Sequence, residues 1–161
     1  MDYTPEKYVS RMLELSNKKL LLLLDMVKLT QSQSKNVTEE GLDSLNQLTE
    51  LKQEKINEID KVDDEFDVYF KRLKSVLKVE SLSELPSSNI KGVKELQVVI
   101  KKIMDTLNEI STIEKQNNVE AKKILSKFGD EIKKISQGKR ANSAYAPGFE
   151  ESPSYFIDKK K

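Results

Sequence analysis

Residues 96–135 read LQVVIKKIMDTLNEISTIEKQNNVEAKKILSKFGDEIKKI. Steps of four and three residues from Leu96 land on Ile100, Ile103, Leu107, Ile110, Glu114, Asn117, Ala121, Ile124, Phe128, Glu131 and Ile135. Nine of these twelve positions are apolar, which is the repeat of a helix packed along a seam and not the period of two that a strand would show. The polar exceptions gather at Glu114 and Asn117, where they would mark exposure, a bend or a register-setting residue. Gly129 costs about 1 kcal/mol relative to Ala in a helix interior. Ile132 and Ile135 nevertheless keep the phase beyond it, so a helix is predicted over about 89–137. Gly138 then suits the C-terminal cap, and Lys133 and Lys134 suit the negative end of the dipole.

A helix that long needs partners, and the preceding sequence supplies two. In YTPEK, Thr4 can cap, Pro5 fits the first helical position and Glu6 faces the positive dipole end. Val9, Leu13, Leu20, Leu23 and Val27 form one stripe, and Met12, Leu15, Leu22, Met26 and Leu29 form a second beside it. Two adjacent stripes predict a helix over about 5–32 lying between two neighbours. A second helix is predicted over about 38–80, with Thr38 as cap and Glu39 and Glu40 in its first turn. Its seam is Ile59, Val62, Phe66, Tyr69, Leu73 and Val76, widened by Ile56, Phe70 and Leu77. SELPSSNIKG ends it, because Pro86 removes a donor and biases Leu85 away from helix. The predicted fold is all-α: an elongated antiparallel bundle, or coiled-coil hairpin, of three helices in residues 1–138. A flexible aromatic tail is predicted over 139–161.

Composition narrows the chemistry. Hydrophobic residues make up 37% and charged residues 34% of the chain, which is too apolar for a disordered protein and highly charged for a compact globule. Acidic and basic residues are interleaved at a net charge of +1, so no basic stripe points to nucleic acid. The leucine run 20–24 stops at Asp25, far short of the ~20 apolar residues of a membrane span, and lies too deep for a signal peptide. Location in the cytoplasm is expected, with no membrane insertion. With no histidine and no cysteine, histidine phosphotransfer, ferritin-type iron sites and Ser-His-Asp or Cys-His catalysis are excluded. The acidic run DKVDDEFD at 60–67 alternates with lysine on a solvated face and lacks the spacing of a calcium loop. No phosphate-cradling glycine loop occurs. No enzyme activity, cofactor, metal or small-molecule substrate is expected.

Interaction is left, and the tail is suited to it. Four of the ten aromatic side chains, Tyr145, Phe149, Tyr155 and Phe156, lie among the prolines and glycine of residues 141–161. Ordering some twenty residues costs about 1–2 kcal/mol each in backbone entropy, whereas each buried aromatic returns roughly 1.5–3 kcal/mol. The whole tail therefore should not clamp down. Two short anchors, at Tyr145–Phe149 and Tyr155–Ile157, are expected to reach a partner or to fold back on the bundle.

The segment KKLLLLLDMVKLTQSQSKNVTEEGLDSLNQLTELKQEKINEIDKVDDEF and the ending YAPGFEESPSYFIDKKK together resemble the FlgN family of flagellar export chaperones. The resemblance implies a non-enzymatic chaperone that binds amphipathic terminal helices of hook-associated proteins of the hook–filament junction. It further implies that the chaperone prevents their premature assembly and delivers them to the flagellar export gate. Client binding would fall on the third helix, with Ile110, Asn117, Ile124, Leu125, Phe128 and Ile132 as candidates. Gate or partner docking would fall on the tail, at Tyr145 first and then Phe149, Tyr155 and Phe156. The alternative is a structural coiled-coil adaptor or homodimeric scaffold, which sustained heptads also support.

Overall fold

The computed structural model describes residues 4–85 and 90–139. Three helices account for most of them: α1 (Pro5–Ser34), α2 (Leu42–Leu77) and α3 (Val93–Lys139). Single 3-10 turns precede α2 at Glu39–Gly41 and follow it at Leu82–Glu84. The path is up, down, up, so α2 is antiparallel to both of the others. Val9 meets Gly92 at one end of the bundle, and Ser34 meets Asn117 toward the other.

α1 is the central rod. It packs closely on both α2 and α3, which is the arrangement its two apolar stripes call for. Val9, Met12, Leu23 and Met26 are all buried. One core cluster joins Leu22, Leu23 and Met26 to Ile56, Ile59, Ile103 and Ile110. A second joins Tyr8, Val9 and Met12 to Leu73, Val93 and Leu96. Phe66 and Tyr69 pack against both. Arg11 pairs with Glu65, and Lys19 with Asp63 at 2.8 Å, which aligns α1 against α2. Such exposed or half-exposed pairs contribute only about 0–1 kcal/mol each, so the apolar seams carry the stability.

The predicted start of α1 holds. Thr4 accepts from the Lys7 amide at 3.4 Å, with Pro5 in the first turn. The start of α2 differs from expectation. Thr38 makes no side-chain cap; the chain turns once as a 3-10 helix, and α2 begins only after Gly41. A Cβ on Gly41 would come within 2.1 Å of the Asn36 carbonyl oxygen, so the tight approach of the loop to itself requires glycine there. α2 stops at Leu77, where Lys78 adopts left-handed backbone at φ 55°. Val76, read as the end of the seam, is 53% exposed. The covered face steps by four from Leu73 to the half-buried Leu77 instead.

The link to α3 does more than break a helix. Ser81 and Glu84 form a capping box, and Leu85 and Ile90 are buried against Val9 and Met12 as part of the core. Gly92 has φ +95° and lies so close to α1 that an added Cβ would meet Val9 Cγ1 at 3.1 Å. Glycine is needed there both for the backbone angle and for the contact. α3 then runs unbroken through Gly129, as expected, and also through Gly138. Gly138 is therefore not the C-terminal cap predicted from the sequence. At ~1.5 Å per residue α3 is roughly 70 Å long, and it is the longest of the three helices.

Candidate functional site

Each helix has a polar residue in its apolar seam, and the three meet. Lys52 of α2 is fully buried. Its Nζ donates to Glu114 Oε2 of α3 at 2.8 Å and to Gln33 Oε1 of α1 at 2.9 Å. Gln33 Nε2 donates in turn to Thr49 Oγ1 at 3.1 Å. Glu114 is 4% exposed, and its second oxygen, Oε1, has no hydrogen-bond partner among the described residues. Burial pushes the Lys52 pKa below the ordinary lysine value, and the hydrogen bond and charge of Glu114 work against that shift. A buried pair of this kind roughly breaks even energetically, because desolvation offsets attraction; its value lies in fixing which residues face one another.

One turn further on, Asn117 ties α3 to the end of α1. Ser34 Oγ donates to Asn117 Oδ1 at 2.7 Å, and Asn117 Nδ2 donates to the Thr30 carbonyl at 3.4 Å. α1 ends there. Past it, Lys127 Nζ pairs with Glu39 Oε1 at 3.1 Å and holds the α1–α2 loop against α3. Val37, Glu40 and Ile124 line a shallow open depression beside this pair.

Ile110 belongs to the bundle's own core at 2% exposure. There it is grouped with Leu22 and Leu23 of α1 and Ile56 and Ile59 of α2. Asn117 is a tie between helices. Ile124, Leu125, Phe128 and Ile132 are brought together along one side of α3, all half-buried, and Ile135 beyond them is 58% exposed. From Lys115 to Gln137 no side chain of α3 is buried. The apolar period of the helix thus continues for six turns after the core has stopped. Tyr145, Phe149, Tyr155 and Phe156 lie outside the described residues.

The apolar stripe of α3 outlasts the core of its own bundle. The model of the family described as FlgN protein matches residues 1–151. The chain belongs to the FlgN family. Membership carries a flagellar export chaperone role, in a family of chaperones and not of enzymes. Neither a curated protein nor a solved structure matches the chain. Among the described residues of this FlgN-family chain, no helix is long and apolar enough to cross a membrane.

Sequence reasoning missed Lys52, Gln33 and Thr49. A signal was present for the first two. Lys52 lies seven residues before Ile59 on the same seam, and Gln33 seven after Met26. Both are polar residues at positions where the period calls for an apolar one.

Proposed function

We propose that this FlgN-family chain is a cytoplasmic carrier that takes amphipathic terminal helices of hook-associated proteins onto the distal part of α3. There it keeps them from assembling prematurely and delivers them to the flagellar export gate. The observation that carries the reading is the apolar stripe Ile124, Leu125, Phe128, Ile132 and Ile135 without a buried member. An amphipathic client helix laid along it would complete the packing that α1 supplies lower down, in the helix-in-groove mode. Ile110 takes no part, and Asn117 forms the inner border. The gate-docking role falls to the C-terminal segment, with Tyr145 first and Phe149, Tyr155 and Phe156 as further candidates.

The test is calorimetric titration of the full chain with a purified hook-associated protein. Binding at micromolar concentration is expected, and Leu125→Asp with Phe128→Asp should abolish it while the helical circular dichroism is retained. Undiminished binding by that variant would overturn the proposed face. Sedimentation of the free chain separates the alternative: a homodimeric scaffold would sediment as a dimer, whereas a carrier with an open face should be monomeric.

A further inference from the structure

We propose that the outer end of this open face is covered, in the absence of a client, by residues Tyr145–Phe149 of the same chain. The inference rests on the reading of distal α3 as the client seat and concerns its regulation. After the Lys127–Glu39 pair, α3 carries Phe128 and Ile132 half-buried and Ile135 largely exposed. These are three apolar side chains on the last three turns.

Reach and size both select the occupant. Residues 140–161 follow directly from the tip of this face. Leu125 to Lys139 spans about 21 Å of helix at ~1.5 Å per residue, and an extended chain covers ~3.3 Å per residue. Six or seven residues therefore suffice to fold back over it. Tyr145 is the sixth residue after Lys139, so Tyr145 and Phe149 reach Phe128 and Ile132 with slack for the turn. Pro147 and Gly148 between them disfavour a further helix there.

Three side chains are a small area for a separate molecule, because association must first offset lost translational and rotational freedom. A tethered segment escapes most of that cost, since its effective concentration is in the millimolar range. A client helix covering Ile124 and Leu125 as well buries more and displaces this tethered strap. The two compete for Phe128 and Ile132.

The chain has no cysteine, so Ser152→Cys in the full-length protein gives one attachment point for a nitroxide label. Amide signals of Phe128–Ile135 should broaden, while those around Val9 at the far end should not. Absent or uniform broadening would overturn the strap. Broadening that appears when labelled, isotope-free chains are mixed with unlabelled, isotope-enriched ones would overturn it in favour of a second copy on the face. The competition is read separately. Tyr145→Ala with Phe149→Ala in the full chain should bind a purified hook-associated protein roughly threefold or more tightly, by the fraction of free chain released from the closed state. Unchanged affinity would overturn the regulatory role. If neither chain binds that protein at all, the proposed function fails, and the label experiment alone decides whether the strap exists.

Discussion

Below Glu114 and above it, α3 has the same apolar repeat and two different fates. In the lower half Leu96, Ile103 and Ile110 disappear into clusters shared with α1 and α2. In the upper half Ile124, Phe128 and Ile132 stay half-buried and Ile135 is exposed. The difference lies in what stands opposite. α1 ends at Ser34, level with Asn117, and nothing described replaces it beyond the α1–α2 loop held by Lys127. The same side-chain pattern is core where a second rod faces it and stays open where none does.

The comparison can be broken first at its border. Glu114→Leu leaves the Lys52 charge buried without its carboxylate and should cost about 3–5 kcal/mol in urea unfolding. Replacing both, with Lys52→Met and Glu114→Leu, should return stability to within about 1 kcal/mol of the parent or above it. A double variant as unstable as the single one would show that the polar layer is a main source of stability.

Next come the two halves themselves. Ile59→Ala, in the closed part, should cost about 2–5 kcal/mol. Ile135→Ala, in the open part, should change stability by no more than about 0.5 kcal/mol. Similar losses at both would mean that distal α3 is packed as firmly as the core.

Gly92→Ala sharpens the account of how α3 is launched. It should cost about 1–2 kcal/mol from the left-handed backbone alone, and more if Val9 cannot move aside. Full stability would rule out the tight turn as the anchor of α3's register.

The smallest effect is a pH dependence. Because burial lowers the Lys52 pKa in the folded chain, the unfolded chain binds more protons between that lowered value and the usual 10.5. Stability must therefore gain a rising contribution as pH increases through this window. Chemical denaturation from pH 8 to 10.5 should show that contribution in the parent and lose it in the Lys52→Met, Glu114→Leu chain. Identical slopes would mean that Lys52 is not desolvated.

How much could be read in advance varies from residue to residue. The paired stripes Val9–Leu23 and Met12–Met26 announced a helix between two neighbours, and α1 is that helix. The repeat from Leu96 announced α3 and its passage through Gly129. Both signals are local, carried by residues three and four apart. Thr38 misled because capping depends on the turn that follows, and here Gly41 folds the loop against Asn36 first. Leu85 was read as loop because Pro86 follows it, and Ile90 as the start of the third helix, yet two apolar side chains in a tight connection can still plug the end of a bundle. The Lys52–Gln33–Glu114 layer was visible only as three separate lapses in three seams.

What the amino-acid order determined alone was the number of rods, the phase of each apolar stripe and the absence of histidine and cysteine chemistry. These depend on neighbours within two turns of helix. Which stripe residues are covered and which stay open was decided only by the tertiary structure. That outcome depends on how far α1 reaches along α3, hence on the axial offset fixed by the Gly92 turn and the polar layer, and no repeat within a single helix encodes the length of the helix opposite it.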